Sequence, residues 1–183
     1  MINPNDSIRF TNVVSKKYQF YYTDMDKAIK EFLNDIDRKG AIIKGPLFYS
    51  LNNVPMDKNM NVELFMPIKQ DKFKIDKDMY FHSYFSIEDM VSIYVHANFE
   101  KNTEIAYAAL LNYMDENKLN QVTPIFHILS GDETMQYVAV KVGVISDEEN
   151  ENDEKESPTD IENLKYKGTD KVTVINDNSS AFR

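Results

Sequence analysis

Residues 46–51 read Pro46-Leu47-Phe48-Tyr49-Ser50-Leu51, and residues 124–129 read Pro124-Ile125-Phe126-His127-Ile128-Leu129. Each is a proline followed by aliphatic and aromatic residues, the composition of a short strand whose first residue need not donate to a ladder. A further strand ending in lysine follows each: Glu63-Leu64-Phe65-Met66-Pro67-Ile68-Lys69 in one case, Gln136-Tyr137-Val138-Ala139-Val140-Lys141 in the other. A helical pattern precedes each. Met25, Ala28, Ile29, Phe32, Leu33 and Ile36 recur at helical spacing after the Thr23-Asp24 cap, and Gly40 stops them. In the second half, Thr103 is the expected cap of a helix carrying Ile105 to Met114, with Asn117-Lys118 at its end. That helix is apolar over most of its first two turns and is expected to be the better buried.

Aromatic and β-branched runs open both units. Residues 8–22 (IRFTNVVSKKYQFYY) predict a long strand; Met79 to Phe85 and the alternating Met90 to Ala97 do so for the second unit. Each half therefore reads strand, helix, strand, strand, over about residues 8–69 and 79–145. The predicted fold is α+β: duplicated units forming one antiparallel sheet with two helices on one face. The opposite face would be a concave groove between the halves.

Charge divides the chain again. Its 183 residues carry 30 acids and 21 bases, a net of −9. Residues 146–183 hold 11 acids and 5 bases, a net of −6, which leaves −3 for residues 1–145. Asp147 to Glu156 reads DEENENDEKE, a self-repelling run that buries nothing. Residues 1–145 are thus expected to form the domain and 146–183 an acidic disordered tail. Ile161, Leu164, Val172, Val174 and Ile175 would be the adhesive points if the tail docks on a partner.

The acidic balance argues against general nucleic-acid binding, which needs a basic face. The absence of cysteine excludes disulfides, thiolate metal sites and cysteine nucleophiles. No cofactor is expected, because no phosphate-cradling glycine loop is present. No metal is expected either, because His82, His96 and His127 show no ligand spacing on one element. The N-terminus is polar and no long apolar run occurs, so the expected location is the cytoplasm.

The second half resembles the GyrI-like, or bacterial effector-binding, domain of multidrug-responsive regulators. The resemblance is carried by Ser92-Ile93-Tyr94-Val95-His96-Ala97, the helix Ala106 to Met114, Pro124 to Ile128, and Tyr137 to Lys141, and it covers about residues 8–145. It implies a groove in which effector-binding members place a buried glutamate on the last strand of the second repeat to meet cationic drugs. Met135, beside Gln136, stands at the matching position, while the first half keeps Glu63. The regulators carry an N-terminal helix-turn-helix domain; here the domain begins almost at Met1, so a DNA-binding regulator is not expected. Size, element order and tail are also similar to cytoplasmic accessory proteins of type VII secretion loci, which bind a secreted toxin.

The candidate groove or partner-binding residues are Glu63, Tyr49, Tyr94, His96, His127 and Tyr137. Alternation sets Tyr94 and His96 away from Val91, Ile93 and Val95, hence either in the groove or simply at solvent. An acid between Val62 and Leu64 is either a solvent-side strand residue or a groove carboxylate facing a cation. Eleven tyrosines and eleven phenylalanines exceed the needs of one small core and favour a contact surface. The expected function is a non-enzymatic adaptor or chaperone for a type VII secretion substrate, its partners a secreted toxin and the secretion machinery. The alternative is a stand-alone small-molecule-binding domain, a ligand sensor or hydrolase.

Overall fold

Twenty residues of extended chain, β1 (Ile2–Tyr21), begin the protein and lead through a single 3-10 turn into α1 (Met25–Arg38). Then follow β2 (Phe48–Leu51), β3 (Asn59–Pro67), β4 (Met79–Val95), α2 (Phe99–Glu116), β5 (Leu119–Gln121), β6 (Ile125–Gly131), β7 (Gln136–Ser146) and β8 (Val172–Asn176). The computed structural model describes residues 1–53, 58–132 and 135–147, and the backbone of 172–176. The fold is α+β, and every strand pairing is antiparallel.

Within the first half the pairing order is β1–β3–β2, and within the second it is β4–β7–β6. Two further pairings, β1 with β4 and β2 with β6, join the halves. Six strands therefore close a ring, β1–β3–β2–β6–β7–β4, where the sequence predicted an open sheet. The extra length of β1 and β4 is the physical reason. Each is long enough to pair within its own half and across to the other, so no edge is left between them.

Closure converts the expected groove into an interior. Ile8, Val13, Phe48, Phe65, Phe85, Ile87, Met90, Phe126, Ile128 and Ala139 fill it, drawn from all six strands. The rings of Phe48 and Phe65 stack at 4.7 Å. Both helices lie outside. Phe32 and Ile36 of α1 pack on Val14, Val62, Leu64 and Phe81; Ala106, Leu110 and Met114 of α2 pack on Val91, Val95, Val140 and Val142.

Helix α2 differs from its prediction in two ways. It starts at Phe99, because Asn98 turns into the left-handed region (φ 47°) and its carbonyl accepts from the Asn102 N–H at 2.9 Å. Thr103 lies inside the helix. Nor is α2 the better buried: Ile105 and Leu111 are each 56% exposed, whereas Phe32 and Ile36 of α1 are fully enclosed. Its buried residues are the 106, 110, 114 stripe, with Tyr107 and Tyr113 half-buried beside it.

Strand β4 absorbs both runs, Met79–Phe85 and Met90–Val95, with Asp89 at a positive φ between them. Its C-terminal part pairs with β7 as far as Met90 opposite Gly143, where β7 departs to pair with β5. Gly143 is required there, since a Cβ would lie 2.6 Å from Thr123 Cγ2. The edge of β4 that β7 leaves, His82 to Ile87, is taken by β8. Five residues assigned to a disordered tail thus form a strand, consistent with the β-branched run Val172-Thr173-Val174-Ile175. Residues 148–171 and 177–183, with Ile161 and Leu164, lie outside the described residues.

Candidate functional site

Inner-face positions alternate along the ring. On β1 they include Val13, Ser15 and Lys17; opposite them stand Phe65 and Glu63 of β3, and His82 and Tyr80 of β4. The interior is apolar at its middle and polar at two ends.

At the first end, the Ser15 hydroxyl donates to Glu63 Oε1 at 2.7 Å and lies 2.9 Å from His82 Nε2. Serine has one hydrogen to give, so with that hydrogen on Glu63 the His82 ring donates to Ser15. Ser15 and His82 are buried. The Glu63 side chain is 16% exposed, and its nearest cation among the described residues is Lys17, with Nζ 4.0 Å from Oε2. Burial holds the Glu63 carboxyl above the ordinary carboxylate range, partly offset by Ser15 and Lys17. The His82 ring centre lies 6.4 Å from that of Phe65 and 5.9 Å from that of Phe85, so an aromatic floor begins directly below.

At the second end, Ser92 donates to Asp6 Oδ2 at 2.6 Å, and Lys141 Nζ donates to Asp6 Oδ1 at 2.7 Å and to the Ser7 carbonyl at 2.9 Å. Burial opposes the Asp6 charge, but Lys141, Ser92 and the Ser7 N–H together hold its carboxyl below the ordinary range. Tyr94, His96 and Tyr137 gather at this end, with Tyr137 5.8 Å from Tyr94 and 5.9 Å from His96 between ring centres.

Tyr49 and His127 belong to neither end. They face each other across the β2–β6 pairing, stack at 4.5 Å, and point to the helix side, where Tyr107 of α2 stands 2.6 Å from His127 Nε2. Burial lowers the His127 pKa to about 4.

The six candidate residues thus divide among three places: Glu63 alone at one end, Tyr94, His96 and Tyr137 at the other, Tyr49 and His127 between sheet and helix. Ser15 and His82, which complete the Glu63 end, were not singled out. The serine lies inside the first β-rich run at an inner-face position, but nothing local points to residues 48 and 67 positions away.

Pairing also corrects the match of Met135 to Glu63. Ser50 lies opposite Glu63 and Phe48 opposite Phe65; in the second half Ile128 lies opposite Ala139 and Phe126 opposite Lys141. The echo of 46–51 in 124–129 then makes Ala139, not Met135, the counterpart of Glu63. Met135 precedes β7 and is 62% exposed.

Among the described residues, no helix is long and apolar enough to cross a membrane. No curated protein matches this chain. The fold is similar to that of EcmrR in its DNA complex, with TM-score 0.61 and 12% identity over 78% of this chain and 58% of that one. The chain therefore spans little more than half the length of that relative. It is similar in the same way to the EcmrR C-terminal domain crystallised alone, with TM-score 0.59 and 11% identity over 78% of this chain and 97% of that one. An uncharacterized conserved protein from Listeria innocua matches at TM-score 0.49 and 9% identity, covering 77% of this chain and 92% of that one. The two EcmrR likenesses are consistent with a GyrI-like fold, and neither lends support to a role in type VII secretion. By sequence, residues 9–146 match the profile of a family described as a domain of unknown function, DUF5085, and the chain belongs to that family.

Proposed function

We propose that this chain is a non-enzymatic small-molecule-binding domain whose ring interior meets an organic cation at the Glu63 end. One observation carries the reading: a largely enclosed carboxylate that accepts from Ser15, itself bonded to His82 beside aromatic rings, and whose nearest cation among the described residues is 4.0 Å away. A carboxylate so placed has lost most of its water without gaining a close counter-ion, and a ligand cation restores what it lacks. The fold shared with the C-terminal domain of EcmrR supports a ligand-binding role. The matching pairing schemes of the two halves support their reading as copies of one unit, of which only the first retains the acid. The test is calorimetry and thermal shift with a panel of aryl cations. Binding to the natural chain that disappears in Glu63→Gln is the expected result; equal binding by both chains, or binding by neither, overturns the proposal.

A further inference from the structure

Lys17 lies opposite Glu63 across the β1–β3 pairing. Its ammonium stands 4.0 Å from Glu63 Oε2 and 5.9 Å from the centre of the Tyr80 ring. Tyr80 lies opposite Ser15 on the β1–β4 pairing, so it shares the inner face with the carboxylate. A carboxylate on one side and a π face on the other make the two walls of a cation seat. In this structure a primary ammonium stands between those walls, and it belongs to the chain itself.

We propose that Lys17 is a built-in occupant of the ligand seat, and that the ligand is a compact primary or secondary ammonium which displaces it. This rests on the reading of Glu63 as the cation-binding acid. Three features support displacement. The Lys17 side chain is 62% exposed, so its stem is free to swing into water. Its contact with Glu63 is at the outer limit of an ion pair and bears no hydrogen bond, so little is lost on leaving. Oε1 of Glu63 is already served by Ser15, which leaves Oε2 as the oxygen facing the seat.

That geometry fixes the chemical class. The Glu63 side chain is largely buried, so Oε2 needs a hydrogen to accept once water and Lys17 have left. A cation bearing N–H supplies charge and hydrogen together, and charge-assisted hydrogen bonds are the strong ones. A quaternary ammonium supplies charge alone and holds its methyl groups between itself and the oxygen. A site built around a hydrogen bond rejects the analogue that cannot make it. The exposed ring of Tyr80 then favours an aryl group on the amine.

The experiment is a titration of the full chain, its Lys17→Met variant and its Glu63→Gln variant with 2-phenylethylammonium and with the N,N,N-trimethyl analogue. The natural chain should bind the primary amine at least tenfold more tightly than the trimethyl analogue. Lys17→Met should tighten the primary amine by about tenfold, and Glu63→Gln should abolish binding. Unchanged or weakened binding in Lys17→Met overturns the occupancy of the seat by Lys17. Equal affinity for the two probes overturns the ligand class, while both leave cation binding at Glu63 standing. Binding of neither probe to the natural chain or to Lys17→Met removes that underlying reading, and this inference with it. Lys17 is solvent-exposed and Gln is isosteric with Glu, so both variants should fold; circular dichroism checks this.

Discussion

Each half of the molecule places a serine on the inner face of its first strand, and each serine meets a carboxylate from the first half. Ser15 holds Glu63, and Ser92 holds Asp6. The two sites diverge in what completes them. Asp6 receives the Lys141 ammonium at 2.7 Å, while Glu63 has Lys17 only at 4.0 Å. One result is a closed ion pair tying the N-terminal end of β1 to β7. The other is an acid whose charge is left partly uncompensated. The opposite pKa directions follow, lowered for Asp6 and raised for Glu63. A buried carboxylate is a structural fastener when its cation comes from the fold, and a binding group when that cation must come from outside.

Breaking the fastener should have the largest effect. Lys141→Ala leaves Asp6 enclosed without its cation and should cost about 3–5 kcal/mol of unfolding free energy, read by urea denaturation. A loss below about 1 kcal/mol would place that pair in effective contact with water.

Acid should expose a second difference between the halves, at Tyr49 of β2 and His127 stacked on it from β6. His127 is held neutral with its pKa lowered to about 4, while an unfolded histidine titrates near 6.5. The unfolded chain therefore binds the extra proton first. Stability is intact above about pH 6.5 and falls as pH drops toward 4, by about 3 kcal/mol in all. Asp6, with its lowered pKa, continues the loss below the ordinary carboxylate range, and Glu63 acts in the opposite sense. Replacing His127 by Phe should flatten the upper part of that profile, down to about pH 4, as seen by thermal melts across the range.

Removing the serines sharpens the comparison further. Ser92→Ala deprives a paired acid of one of several bonds and should cost about 1 kcal/mol of stability. Ser15→Ala should cost a similar amount and also weaken cation binding, a readout that Ser92→Ala leaves unmoved. The smallest change in stability is expected for Glu63→Gln, within about 1 kcal/mol of zero, since it removes an uncompensated charge and keeps the amide within reach of Ser15. A large loss there would make Glu63 a fastener too.

Much of this architecture was legible from local pattern. The stripe from Met25 to Ile36 marked α1, and the proline-led strands located β2 and β6, because period and punctuation are written in adjacent residues. Ring closure was not, because it depends on how far β1 and β4 extend and on what they meet across the chain. The misplacement of Met135 has a specific origin. Matching the two lysine-terminated strings aligned Lys69, which is exposed after β3, with Lys141, which is buried in the interior against Asp6. Lysine ordinarily marks a strand's solvent end, and only the partner six residues from the N-terminus shows why this one does not. Glu63 stood out because an acid between Val62 and Leu64 conflicts with its surroundings. Ser15 and His82 conflict with nothing nearby, and their convergence is a product of the pairing register alone.

β8 continues along β4 in the direction β7 had been following, after an absence of 24 residues between Asp147 and Val172. This five-residue strand pairs with β4 along its length, and its covalent connection to the domain makes that pairing intramolecular. A tether of this length confers an effective concentration on the order of millimolar. Cutting the chain after Asp147 and supplying residues 172–176 as a free peptide turns the same pairing into a bimolecular one, half-formed where the free peptide concentration equals its Kd. The acidic segment thus sets the local concentration of the strand that follows it, a function of length that its composition alone does not express.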